Sequence, residues 1–279
     1  MSAEQSVLSE KREGILTITL NRPEAANALR PEDRDEVIAL LGAADRDDEV
    51  RVVVLRANGK HFCAGADVAS LAQRRATVEK TVLDPMRRIM NGAQKLVAAV
   101  LDCNKPVIAA VQGAATGVGA HLVYAADLVV MTENAYFAES FVKRGLVVDG
   151  GGCYLLPRRI GMQKAKEMAF FGEKLTATEA LSLGLVNRVV PPDELDTAVG
   201  DFATRLATAP TSAIALTKRL LNDSSSRDMA QALDAEALAQ VANLATADAG
   251  EAIAAFLAKR DPVFTGRSVL PPPGGTGGQ

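Results

Sequence analysis

The chain has 279 residues, a formal net charge of -3, a 48 % hydrophobic share and a 23 % charged share, enough to bury a sizeable core in one large domain or a domain with a helical extension. The mild acidity sets aside general nucleic-acid binding, which needs a basic face, and the absence of Trp with only 4 % aromatic residues sets aside a base-stacking platform. Cys63, Cys103 and Cys153 form no C-x-x-C pair, which points to a reducing, cytoplasmic setting.

The opening "MSAEQSVLSEKREG" is polar and carries no apolar signal segment. "GILTITLN" (14–21) alternates as a strand does, and "PEDRDEVIALLGAA" (31–44) begins with Pro and acids before turning apolar at helical spacing. "VRVVVLRA" (50–57) reads as a buried strand and "NGKHFCAGAD" as a loop with an Asn-Gly turn signal. Residues 78–102 read as one long helix, and "LAQRRATVEKTV" (71–82) as a mobile segment. "PVIAAVQ" (106–112) is a second buried strand, "GAATG" turns the chain into a helix over 117–126, and "DLVVMTE" (127–133) and "AYFAES" are strands. Gln112, His121 and Asp127 interrupt the apolar stretch that starts at Pro106, so it suits an α/β core better than a membrane helix. "GGGCYLLPRRIG" enters a helix, short helices follow at 163–172 and 177–184, "NRVV" is a brief strand, and the chain from 192 to 259 is nearly all helical. Alternating strands and helices predict an α/β fold with a largely parallel sheet. The expected division is a core over 1–191, a helical region over 192–262 and a disordered Pro/Gly-rich tail over 263–279.

The glycine clusters do not match nucleotide fingerprints. "GVGAHL" places Leu122 where the third small residue of G-x-G-x-x-G belongs, and no G-x-x-x-x-G-K-[ST] occurs. With two histidines and no H-E-x-x-H a metal site is not expected, and no G-x-S-x-G marks a serine nucleophile. What remains is a pair of Gly/Ala-rich loops, "HFCAGAD" and "GAATGVGAH", each following a buried strand. The second opens into a helix whose first N–H groups lack partners and carry partial positive charge. One N–H from each loop could hold a carbonyl oxygen, or the loops could be tight turns that only pack strands together.

In this order, "LTITLNRPEAANAL", "FCAGADV", "KPVIAAVQGAATGVGAHLVYAADL" and "LTATEALSLGLVNRVV" resemble the enoyl-CoA hydratase/isomerase (crotonase) superfamily over residues 7–262. The resemblance implies a crotonase-like spiral of ββα units with a C-terminal helical trimerisation region, assembled as a homotrimer or dimer of trimers. It implies an acyl-CoA thioester substrate, with CoA part of the substrate and no separate cofactor, and neither nucleic acid nor membrane as partner. The thioester oxygen would accept from the backbone N–H groups of Ala66 and Val118, with Ala64, Gly65, Asp67, Gly117 and Phe141 around the substrate.

The chain departs from the hydratase pattern at both acid/base positions, with His121 and Phe141 where that pattern has glutamates. Asp149 in "LVVDGGG" stands where some superfamily isomerases carry a functional Asp. It would be a base with a raised pKa or a helix cap. His121 would be an acid/base group or a packed histidine. Glu139 is a further carboxylate at a strand end, Asp67 reads as a loop and cap residue, His61 as a surface-loop residue and Cys63 as packing. Arg22, Lys60 and Arg88 are candidate phosphate partners, while Glu24 occupies a position where some relatives have Lys. These residues predict a thioester enolate held in a backbone oxyanion hole. Isomerase-type proton transfer by Asp149 leads. A hydratase using His121 and Asp149 and a non-catalytic acyl-CoA-binding subunit are the alternatives.

Overall fold

The computed structural model describes residues 5–67 and 83–266. A hairpin opens the fold: β1 (Val7–Arg12) and β2 (Ile15–Leu20) pair antiparallel through Glu13 and Gly14, both at positive φ. The sequence reading omitted β1 because only Val7 of this edge strand is buried, so "VLSEKR" lacks the alternation of a half-buried strand. Helix α1 (Pro31–Arg46) then crosses over to β3 (Val52–Ala57), which pairs parallel with β2. Strands β4 (Val107–Val111), β6 (Leu128–Thr132) and β9 (Arg188–Val190) extend the same sheet in the order β1-β2-β3-β4-β6-β9. A smaller sheet holds β5 (Ala114–Thr116), β7 (Tyr136–Ala138) and β8 (Lys174–Thr176).

The repeating unit is a strand in the large sheet, a short strand in the small one, and a helix. β4, β5 and α4 (Val118–Ala125) form one such unit, and β6, β7 and α5 (Gly152–Ile160) form the next. This is the expected α/β spiral of ββα units. β8, three residues long with only Leu175 buried, is a second strand with too little pattern to be seen in the sequence.

The continuous apolar runs of β3 and β4 follow from burial on both faces. On one side Val53, Leu55, Ala109 and Val111 join the main core with α1 and α4. On the other, Val52, Val54, Ile108 and Ala110 pack under α8 (Leu195–Ala207) through Leu195, Val199, Ala203 and Ala207.

The long helix expected over 78–102 is broken. Its residues 78–82 and all of the 71–82 segment lie outside the described residues. The remainder is α2 (Leu83–Ile89), a π-turn over Met90–Gln94, and α3 (Lys95–Asp102). Gly92 departs from helical geometry at φ -106, ψ -110, and a Cβ there would lie 2.6 Å from the Arg34 guanidinium. The break lets Arg34 lie against the backbone. Short helices α6 (Met162–Phe171) and α7 (Ala177–Ser182) complete the core.

Beyond α8 come α9 (Thr211–Asp223), α10 (Met229–Leu244) and α11 (Ala247–Ala258). A buried ion pair fastens α9 to the core. Lys218 Nζ lies 2.8 Å from Asp127 Oδ2 and donates to the carbonyls of Val100 and Lys105. Asp127 in turn accepts from Val107 N–H at 2.7 Å, at the start of β4. Residues 263–266, expected within a disordered tail, are held: Arg51 donates to Phe264 O, and Asp248 accepts from the N–H groups of Thr265 and Gly266. Those anchors are far apart in sequence, which is why composition alone misplaced the boundary. No single helix among the described residues is long and apolar enough to cross a membrane.

Burial pushes the Asp127 pKa up while the Lys218 charge pulls it down, so the cation is what makes the buried carboxylate tolerable. Lys218→Met should therefore lower stability by about 3–5 kcal/mol. Urea unfolding checks this as a lowered midpoint with unchanged m-value, and adding Asp127→Asn should recover part of the loss.

Candidate active site

A cavity of about 710 Å³ opens where the loop after β3, the start of α4 and the segment after β7 converge. Ala64, Gly65, Ala66, Asp67, Gly117, Val118, Phe141 and Asp149 all line it, so the structure brings these sequence-predicted positions together.

The first loop is shaped by buried polar contacts. Asn27 Nδ2 donates to the carbonyls of Asn58 and His61. Leu29 N–H donates to Gly65 O at 2.8 Å and Asp67 N–H to Leu29 O at 3.0 Å. Because Gly65 and Asp67 both face Leu29, strand-like alternation turns the Ala66 N–H away from it, toward the cavity. Gly65 has φ +100, and a Cβ there would press on Thr116 O at 3.0 Å.

The second donor comes from a helix start. Gly117 N–H donates to Ala138 O at 3.1 Å, and Val118, the first residue of α4, has no intrahelical acceptor for its N–H. The two loops are tied together by Cys63 N–H to Ala114 O at 2.9 Å and Thr116 N–H to Cys63 O at 2.9 Å. Gly119 completes the approach: a Cβ there would lie 2.5 Å from Cys63 O. Of the glycines in "TGVGAH", Gly119 thus serves contact between the two loops and Gly117 takes a positive φ of +53, with a backbone donor between them. Cys63 is fully buried, and burial pushes its thiol up to about 12, consistent with a packing role.

Asp149 stands on the cavity wall, half-buried, on the loop before α5. The helix cap is Gly151 with no side-chain cap bond, so the carboxylate is not spent on capping. Burial pushes its pKa above the ordinary carboxylate value. Attraction to His121 and its own N–H oppose this, and the Glu139 charge adds to it.

His121 is placed differently from a residue that meets ligand. It is fully buried and is not part of the cavity wall; Phe141, which is, stacks on its ring at 5.6 Å and 9°. Its Nε2 lies 3.2 and 3.1 Å from the two oxygens of Glu139, itself fully buried. The side chain one turn into α4 points under the wall because that whole helix is buried.

The phosphate candidates change. Arg22 is 18 % exposed and bonded to Ala28 O, Asp33 and Asp67 at 2.8, 3.4 and 3.2 Å, so it braces the first loop. Burial raises the Asp33 pKa, but hydrogen bonds from Arg30 and Ser6 outweigh it and hold the group at about 2. Lys60 is exposed and off the cavity, whereas Arg88 lines it together with Arg34 and Arg144. The last two were missed in the sequence, where isolated arginines on charged helices carry no distinguishing signal. His61 is tied into the fold through Nδ1, which accepts from Ala114 N–H at 3.1 Å, rather than lying on a free surface loop. Asp67 lines the cavity; any helix it caps begins among residues that are not described. Among the described residues no group of three or more His, Cys, Asp or Glu could hold a metal ion.

A sheet spiral that brings two Gly/Ala-rich loops and a helix start to one cavity is the scaffold that these elements define. Comparison with known proteins gives the family. Residues 10–267 match the family described as Enoyl-CoA hydratase/isomerase. The chain is 38 % identical over 258 residues to a protein of Rhodobacter capsulatus named "Probable enoyl-CoA hydratase", covering 92 % of this chain and 97 % of that one. It is 36 % identical over 261 residues to the 1,2-epoxyphenylacetyl-CoA isomerase of Escherichia coli, covering 94 % and 98 %. A solved enoyl-CoA hydratase from Polaromonas sp. JS666 superposes with TM-score 0.86 at 36 % identity over 92 % of this chain and 99 % of that one. The chain belongs to the enoyl-CoA hydratase/isomerase (crotonase) superfamily and is an enzyme of that group.

The raised Asp149 pKa has two consequences of fixed sign. The folded state binds the proton more tightly than the unfolded state, so ionised Asp149 destabilises the fold above its folded pKa. Asp149→Asn should raise Tm at neutral pH, with the gain shrinking as pH falls toward the ordinary value of 3.8. Scanning calorimetry across pH checks this.

Proposed function

We propose that the enzyme is an enoyl-CoA isomerase in which Asp149 moves a proton between carbons of the acyl chain. The observation that carries this is the character of the cavity wall. Among the described residues Asp149 has no hydrogen bond or ion pair to another side chain, while Asp67 is ion-paired with Arg22, and Phe141 and buried His121 fill the positions where a hydratase pattern has glutamates. Hydration uses one group to orient water and another to deliver a proton. A double-bond shift needs one base that takes a proton and returns it.

In this reading the thioester oxygen accepts from Ala66 and Val118 N–H, which stabilise the enolate oxygen as the proton leaves. Asp149, partly desolvated, takes that proton from the carbon and returns it two carbons along. Arg34, Arg88 and Arg144 place positive charge along the cavity, suited to the CoA phosphates. No cofactor beyond the CoA of the substrate enters this scheme. A 1,2-epoxyphenylacetyl-CoA isomerase at 36 % identity favours isomerisation, and a relative named as a hydratase keeps water addition as the second reading.

The test offers a 3-enoyl-CoA and a 2-enoyl-CoA separately in deuterated water. The expected result is a shifted double bond with carbon-bound deuterium, reduced about 10²–10⁴-fold in Asp149→Asn. Its pH profile should show an acid limb above 3.8, since the base works only when ionised. A 3-hydroxyacyl-CoA product would establish the hydratase instead, and acyl-CoA binding without turnover would establish a binding subunit.

We also propose a cytoplasmic homotrimer or dimer of trimers. The support is the unburied apolar surface of the C-terminal helices: Leu233, Leu238, Val241 and Leu244 on α10, with Ile253, Phe256 and Leu257 on α11. A surface of that kind is a liability unless another subunit covers it. Sedimentation velocity should show a trimer or hexamer, and Phe256→Glu with Val241→Glu should dissociate it.

A further inference from the structure

His121 and Glu139 are both wholly buried, and both lie immediately behind the reaction cavity without lining it. Three contacts converge on the imidazole. Glu139 takes Nε2 between its two oxygens at 3.2 and 3.1 Å. The ring of Phe141, which faces the cavity on its other side, lies parallel to it at 5.6 Å. The backbone of the loop carrying Asp149 runs along the ring edge: a Cβ on Gly150 would lie 3.1 Å from Nδ1, and one on Gly152 only 2.4 Å from Nε2. The glycines flanking this contact in "DGGG" are therefore required by the imidazole beneath them.

We propose that His121 and Glu139 form a buried positioning pair for this reaction centre, the imidazole supporting both the Asp149 loop and the Phe141 ring and Glu139 fixing its orientation. The inference rests on Asp149 being the base. The physical argument is one of direction. A leucine at 121 would occupy the space without burying a carboxylate, and a buried ion-paired or hydrogen-bonded carboxylate carries a desolvation cost that packing alone does not require. What the pair supplies is a fixed ring plane. With Glu139 ionised, Nε2 must donate, and rotation about the side-chain bonds would break that bond. The plane so fixed sets the angle of Phe141 and the height of the Gly150–Gly152 backbone. Nδ1 has no hydrogen-bond partner among the described residues, so the contact with Glu139 is the hydrogen bond that orients the ring within its packing.

Glu139, Tyr124 and the Asp149 loop meet His121 from three elements. Tyr124 is on the same helix, its ring 5.8 Å away, and its phenol is pushed well above its usual pKa by burial and by the neighbouring Glu139 carboxylate. Lys95 and Asp102 on α3 are exposed, and Arg159 of α5 is occupied with Tyr124 O at 3.2 Å. Glu139 is thus the group that orients the ring.

The test compares His121→Leu, His121→Gln, Glu139→Gln and the His121→Leu/Glu139→Leu double variant on 3-enoyl-CoA turnover. Binding stoichiometry and affinity for a saturated acyl-CoA are measured by calorimetry alongside. His121→Leu and Glu139→Gln should lose about 10–100-fold in kcat, the scale of a small misplacement of a catalytic group. KM, saturated acyl-CoA affinity and stoichiometry should stay within about twofold, because neither residue touches ligand. His121→Gln, which keeps an N–H for Glu139, should retain more kcat than His121→Leu, and the double variant should lose no more than His121→Leu alone. Turnover in His121→Leu within twofold of the parent, or a kcat loss matched by an equal loss of binding stoichiometry, would overturn the pairing as a positioning device. Undiminished turnover in Asp149→Asn would instead overturn the base assignment, and the positioning role built on it.

Discussion

Everything at the reaction centre depends on how closely the first turn of α4 approaches the backbone of Cys63. The loop at Cys63 and strand β5 share two backbone hydrogen bonds, and Gly119 lies where any side chain would strike Cys63 O at 2.5 Å. That contact sets the distance between a donor on the loop after β3 and a donor at a helix start, segments about fifty residues apart. An oxyanion hole is useful only if its donors are fixed before the charge develops, since donors that must reorganise lose their advantage. The burial of Cys63 and the whole of α4 supplies that rigidity.

Around these fixed donors the side chains divide into those that brace and those that meet the substrate. Arg22, bonded at once to Ala28, Asp33 and Asp67, locks the first loop to α1. Lys218 and Asp127 lock the C-terminal helices to the sheet from which the second loop departs. Asp149 is the exception, a half-buried carboxylate with no side-chain hydrogen bond among the described residues, its charge opposed by burial more than it is favoured by His121, and such a group is retained at a cost to the fold. Stability is concentrated behind the site and withheld at the residue proposed as the base.

Much of this was legible in the sequence, for identifiable reasons. Long apolar runs such as 107–111 are strands buried on both faces, and the paired Gly/Ala-rich loops stand out because each directly follows such a strand. β1 and β8 escaped because an exposed edge and a three-residue strand leave no period to detect. The break at Gly92 interrupts a stretch whose apolar spacing is helical on both sides, so the local pattern continues through it. The place of His121 on the helix was readable but not the direction it faces, because an all-buried helix has no polar side to distinguish wall from interior. Glu139 looked like a strand-end carboxylate because only the fold brings it to His121, eighteen positions away in the chain. Arg34 and Arg144 became visible only when the cavity gathered them from separate elements.

The two donors proposed for the thioester oxygen, at Ala66 and Val118, are main-chain groups, and this has a consequence for how such a protein can change. A side-chain donor is lost with one codon; a peptide N–H survives any replacement that keeps the local path, proline excepted. Val118 illustrates the point, since a branched side chain sits on the donor residue without removing the donor. The apparatus that holds the oxygen is therefore insulated from drift, while positions 121, 139, 141 and 149 are exposed to it. A lineage built this way can replace its acid/base groups one at a time, passing through intermediates that still bind and polarise a thioester. New chemistry can then arise on a cavity that never stops working as a receptor.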